Sequence, residues 1–339
     1  MARLFVARKV SSESVVRAFV DRCREVNSRI NAVVEERFEE AIQDARTVDW
    51  LISSGSNSPR QLEEATPLLG VPITVKESCG LKGMSQCVGC KRRMNARAVD
   101  DGHAVGRLRR AGAIPIGVTN TPELCLSWET TNLITGTTSN PYNPCRTAGG
   151  SSGGEGAMLG SGCSVIGIGS DLAGSIRIPS MFGGVFGHKP TPGYVPTEGH
   201  YPHPDDEKLR KFLVVGPMSR YAEDLLLAMK VMSGQRGKEL CLDEQKLLGD
   251  DGVLFYPTFP IPPFYHNEFF LRCLGIMYTM VFNTLELPST HVPLGLDSQG
   301  LPIGIQVIGG HKQDRLCIAV ARALEARFGG WIPPPSKIL

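Results

Sequence analysis

The chain has 339 residues, 42% hydrophobic and 21% charged, the composition of a folded globular protein long enough to bury a large core. A formal net charge of +2 argues against an obligate nucleic-acid binder. Its ten cysteines are scattered and no secretory leader precedes them, so reduced thiols in a cytoplasmic setting are expected.

In chain order, residues 1–10 carry basic side chains but no apolar stretch of signal or membrane-spanning type. The expected location is therefore the cytoplasm or the periphery of intracellular membranes. Residues 12–52 read as two amphipathic helices, the first with Val16, Phe19, Val20, Cys23 and Val26 along its apolar face. A Ser/Asn/Pro stretch at 53–59 leads to an apolar, β-branched strand at 70–75 that ends at Lys76. Cys87 and Cys90 form a single CxxC without a second pair, which is weak evidence for zinc and better read as a non-functional spacing. Asp100 and Asp101 read as caps of a helix running to Arg110, followed by a strand at 114–118.

A glycine-rich run then occupies residues 149–179, and beyond it the elements resume. A helix is expected at 222–232, a buried strand at 253–256, a helix at 267–285, a strand at 300–308 and a closing helix at 314–328. Residues 273–282 are apolar and uncharged but too few to span a bilayer, so they read as a buried helix wall. Strands alternating with helices, without an evident linker, imply one α/β domain around one mostly buried sheet. The first two helices are expected to pack on its surface.

The glycine-rich run places Ser151 and Ser175 in separate loops. A serine hydroxyl is a weak nucleophile at neutral pH and needs a base to take its proton as it attacks. An unprotonated lysine can be that base, although only about one lysine in 2,500 is neutral in water at pH 7. Burial favours the neutral form. The strand before Lys76 would carry it inward; the alternative is a strand-end lysine in water. Closely spaced glycines let main-chain N–H groups approach a ligand. In DLAGS, the N–H groups of Leu172, Ala173, Gly174 and Ser175 could converge beside the Ser175 hydroxyl as an oxyanion hole, where one donor is worth about 2.7 to 4 kcal/mol. A plain turn between a strand at 164–169 and a helix is the alternative.

GGSSG at 149–153 also fits a nucleophile elbow centred on Ser151, but residues 140–148 contain two prolines and no strand pattern, so that reading ranks lower. Neither a P-loop nor a G-x-G-x-x-G after a strand occurs, and no cofactor or metal is implied.

GVPITVKES, GGSSGGEGA and GSDLAGSIRIPS, in that order and with the serines 24 positions apart, resemble the amidase signature family. Glu155 and the segments at 186–196, 216–225, 247–257 and 300–310 are most similar to its fatty-acid amide hydrolases. The resemblance implies a single large mixed β-sheet core surrounded by helices and a serine hydrolase acting on carboxylic amides, fatty-acid amides above all. It implies Ser175 as nucleophile, Ser151 as the bridging cis-serine and Lys76 as base, with a small hydrophobic amide as substrate and peripheral membrane contact as an option. Asp171 and Arg177 flank the nucleophile and either pair to hold its loop or stand solvated; Ser152 either orients Ser151 or caps the helix beginning at Gly153.

Three departures stand out. No counterpart of the membrane-anchoring N-terminal segment of such relatives is expected in residues 1–10, and Ala173 stands where they usually have glycine. Residues 235–246 form a short bridge where relatives have a long segment. A truncated, weakly active or inactive member is therefore the competing reading. A general amidase or amidotransferase-like subunit is another, disfavoured by Glu155 and the lipid-type segments.

Overall fold

The computed structural model describes residues 1–204, 206–238 and 252–335. Its strands are β1 (Val33–Glu36), β2 (Pro72–Lys76), β3 (Ile114–Thr119), β4 (Thr131–Asn132), β5 (Gly136–Thr137), β6 (Ile166–Asp171), β7 (Phe186–Lys189), β8 (Val214–Ser219), β9 (Leu254–Pro257), β10 (Ser289–Leu296) and β11 (Pro302–Ile308). Among the described residues nine of them form one sheet in the order β1-β3-β2-β6-β8-β7-β10-β11-β9, and β4 pairs with β5 alone.

The sheet is mixed: β2 and β3, joined through the helix His103–Arg110, run parallel, whereas β10 and β11, joined by residues 297–301, run antiparallel. β2 runs parallel to both β3 and β6; the other pairings are antiparallel. With both faces covered, β2 and β6 read as runs without a polar face, and all their residues are buried. Ile73, Val75, Ile166 and Ile168 join Leu108, Met229 and Ile318 in the main core. β2 and β6 thus deliver their buried C-terminal residues, Lys76 and Asp171, at the same end of the sheet.

The helix Ser12–Ile30 starts where the Ser11 Oγ accepts the Ser14 N–H at 3.1 Å. Its Val16, Val20, Cys23 and Val26 are fully buried against Ala41, Ala45, Ile116 and Met158, so this pair of helices contributes to a second core layer. The two helices are also stitched to the sheet: β1 lies between them and pairs with β3, Val33 opposite Thr119. A four-residue strand between two long periodic segments carries too little alternation to be read from sequence.

Other expectations are corrected. Asp101 caps no helix. The helix His103–Arg110 begins after Gly102, while the Asp101 carboxylate accepts the Lys82 N–H at 2.9 Å and pairs with Arg109 at 2.7 Å. Residues 267–285 do not form one helix; a 3₁₀ segment, Phe269–Ile276, runs into the helix Met277–Thr284. Nor is 273–282 a buried wall, since Leu274 is 79% and Met277 53% exposed. β9 is likewise an exposed edge strand and not a buried one, because it pairs with β11 and with no further strand among the described residues. Of the bridge at 235–246, residues up to 238 complete a 3₁₀ turn, and 239–246 lie outside the described residues. No helix among the described residues is long and apolar enough to cross a membrane.

Candidate active site

Lys76 closes β2 with no solvent exposure. Its Nζ lies 2.7 Å from Ser151 Oγ and 2.9 Å from Ser170 Oγ. The Gly150–Ser151 peptide is cis, and among the described residues no strand directly precedes Gly149, so the elbow reading of GGSSG loses its scaffold. The two serine loops are tied through the main chain, the Ser152 N–H donating to the Ser175 carbonyl at 3.2 Å.

Ser151 and Ser175 line one cavity of about 160 Å³, together with Ser170, His200 and apolar side chains that include Leu124, Leu126, Leu172 and Leu213. No hydrogen bond joins the two serine hydroxyls among the described residues. A larger opening of about 650 Å³, lined by Arg107, Arg210, Lys211 and Arg236 among others, contains neither serine.

Ser152 occupies the N-cap position of the helix Gly153–Gly160 but makes no capping bond. Its Oγ instead donates to the Ser170 carbonyl at 3.3 Å and accepts the Ser170 N–H at 3.4 Å, fastening the loop to β6. Orientation of Ser151 by a direct hydrogen bond from Ser152 is not seen.

The Ser175 loop is organised by Asp171. One carboxylate oxygen accepts the Gly174 N–H at 2.7 Å and the other the Ile176 N–H at 3.1 Å. Arg177 closes the arrangement with Nε at 3.0 Å and Nη2 at 3.1 Å, both partners fully buried, so the solvated alternative is set aside. Burial alone would raise the Asp171 carboxyl; the Arg177 guanidinium outweighs it and holds the group well below its ordinary range. The consequence for the expected donors is specific. The Gly174 N–H points to Asp171 and not to the cavity, whereas those of Leu172, Ala173 and Ser175 have no main-chain or side-chain partner among the described residues.

Gly174 adopts φ +120°, a conformation open to glycine, and a Cβ there would also strike Thr279. Ala173 does not lie in the left-handed region, so its methyl adds no such strain. Its carbonyl accepts the Thr279 hydroxyl at 2.7 Å.

Several members of the site were not anticipated. Arg177 also donates to Asn283 Oδ1 at 2.6 Å and Gln306 Oε1 at 2.9 Å, and Asn283 Nδ2 donates to Asp171 at 3.0 Å. A polar side chain inside an apolar stretch, as in the PIGIQVI of β11, was the available signal for Gln306. Ser170 and His200 carried no such mark. Beneath the site, Glu155 accepts hydroxyl hydrogen bonds from Thr74 at 2.6 Å and Thr119 at 2.8 Å. A side chain at Gly167 would collide with its carboxylate, so that glycine serves close approach. Burial raises the Glu155 carboxyl to about 7 against the lowering effects of Thr74, Thr119 and Lys76.

The comparisons agree with this geometry at the level of family. A family model named Amidase matches residues 14–247 and 243–318, two stretches that meet near the bridge. Fatty-acid amide hydrolase 2-A of Danio rerio is 34% identical over 473 aligned positions, covering 98% of this chain and 89% of the relative. Human fatty-acid amide hydrolase 2 is 34% identical over 475 positions with the same two coverages. Among solved structures, 6-aminohexanoate cyclic dimer hydrolase complexed with substrate superimposes with a TM-score of 0.83 at 21% identity, covering 100% of this chain and 98% of that one.

Proposed function

The chain belongs to the amidase family, hydrolases acting on amide bonds, and within it we propose that this protein cleaves fatty-acid amides through Ser175, Ser151 and Lys76. The observation that carries the proposal is the 2.7 Å contact of buried Lys76 with Ser151, in a cavity that Ser175 shares.

In the mechanism, neutral Lys76 takes the Ser151 proton while Ser151 takes that of Ser175, whose oxygen attacks the amide carbon. The Ser151–Ser175 link closes when substrate draws the hydroxyls together. Charge developing on the carbonyl oxygen is met by the N–H groups of Leu172, Ala173 and Ser175. The proton on Lys76 returns through Ser151 to the departing nitrogen, which leaves as an amine. Water entering by the same relay then hydrolyses the acyl-enzyme. Substrate class is argued from the leucines lining the cavity and from the two fatty-acid amide hydrolase 2 relatives.

The short bridge bears on how well this works. The two-part family match and alignments longer than the chain itself support the reading that a segment of the relatives is missing at 235–246. The exposed Phe270, Leu271 and Leu274 fit an apolar surface left uncovered by that loss. Turnover of long-chain amides is accordingly attenuated, and the protein acts in the cytoplasm or at the surface of intracellular membranes. The direct test is hydrolysis of a long-chain fatty amide by the wild type and by Ser175→Ala. Release of fatty acid that survives the substitution would refute the assignment of Ser175.

A further inference from the structure

His200 lies in the connection between β7 and β8, outside any helix or strand, yet it is buried and lines the cavity of the two serines. Its Nδ1 is 2.8 Å from the Pro202 carbonyl oxygen. A carbonyl can only accept, so Nδ1 carries a proton. Burial pushes the imidazole well below its ordinary range, so the ring stays neutral and Nε2 is a bare acceptor. That nitrogen is 2.9 Å from Ser170 Oγ. The Ser170 hydroxyl has one proton and gives it to His200; toward Lys76 Nζ, also 2.9 Å away, it can therefore only accept.

The direction of these bonds matters at the amine. A neutral lysine has two N–H groups and one lone pair. With Ser170 restricted to accepting, it engages an N–H and leaves the lone pair for Ser151, 2.7 Å away. A Ser170 hydroxyl free to rotate would instead donate to the amine and occupy that lone pair. We infer that His200 is a positioning residue that sets the hydrogen-bond direction through Ser170, so that Lys76 presents its lone pair to Ser151. This rests on the reading of Lys76 as the base. Besides Lys76, the titratable group that acts on His200 is His203.

The test compares His200→Gln with His200→Phe in hydrolysis of a fatty-acid anilide by the full chain. Glutamine can donate to the Pro202 carbonyl and accept from Ser170, and is expected to keep kcat within about threefold of wild type. Phenylalanine can do neither, and kcat is expected to fall by about tenfold or more, with KM unchanged within about twofold. Wild-type kcat in His200→Phe, or equal damage in both variants, overturns the inference. Should His200→Phe not fold, ¹⁵N spectra of wild-type histidines decide. The His200 signals, assigned by their absence from His200→Gln, are expected to show protonated Nδ1 and unprotonated Nε2 between pH 6 and 9; the opposite tautomer or an imidazolium overturns it. Undiminished turnover in Lys76→Ala removes the base assignment itself. Loss of turnover there beside an unaffected His200→Phe removes only the positioning role.

Discussion

Arg177 grips Asp171 with two hydrogen bonds, 3.0 and 3.1 Å, in a place where neither side chain has any solvent exposure. The pair sits one turn from Ser175, and the same carboxylate fixes the Gly174 and Ile176 N–H groups, so one ion pair holds the shape of the loop that carries the proposed nucleophile.

Removing the cation alone strands a buried carboxylate. Arg177→Met is expected to destabilise the protein by about 3 to 5 kcal/mol. Because the Asp171 carboxyl is depressed in the folded state, its contribution is present above the ordinary carboxylate range and lost as pH falls toward the folded value. Urea unfolding from pH 7 down to pH 2 checks both points. An Arg177→Met protein as stable as wild type at pH 7 contradicts the assignment of this pair as the loop's anchor.

Glu155 has the opposite sign. With its carboxyl raised from 4.5 to about 7, the folded state holds the proton more tightly, so its stabilising effect is complete below pH 4.5 and is lost as pH rises through 7. That loss is about 3 kcal/mol. Glu155→Gln, which keeps partners for Thr74 and Thr119, is expected to flatten the fall in melting temperature between pH 5 and pH 8. Parallel curves for the two proteins would show that Glu155 does not titrate in this window.

If Lys76 is the base, its loss is felt most where hydroxide is scarce. Lys76→Ala is expected to lower amide turnover by about 10² to 10⁴ at pH 7 and by much less at pH 10. Turnover measured across that range distinguishes the roles, because an equal deficit at both ends marks a lysine that only supports structure.

The bridge at 235–246 is tested by addition. Inserting the corresponding segment of a relative is expected to raise thermal stability and long-chain amide hydrolysis together, since it covers apolar surface such as Leu274 and excludes water from the site. Equal melting and equal hydrolysis would show that the short chain is a complete enzyme.

What was legible in the sequence follows from how local each signal is. β2, the helix Asp314–Phe328 and the two long early helices repeat a period over enough residues to be read directly. Lys76, Ser151 and Ser175 stood out because glycine and strand patterns frame them. β1 was hidden by its length. The exposure of 273–282 and of β9 was hidden because an apolar stretch is a statement about composition, and what covers it depends on distant chain. His200 and Asn283 meet the site only through contacts 30 or more positions apart in the chain, and the contact of Ser170 with Lys76 spans 94, which no window of sequence contains.

The central claim, that Ser175 attacks and Ser151 relays, is tested most directly by labelling with a fluorophosphonate followed by peptide mapping. The label is expected on Ser175 in the wild type and on neither serine in Ser175→Ala, because the proposed relay makes Ser175 the attacking hydroxyl and leaves Ser151 to pass the proton. A modified Ser151 beside an unmodified Ser175 would contradict the relay.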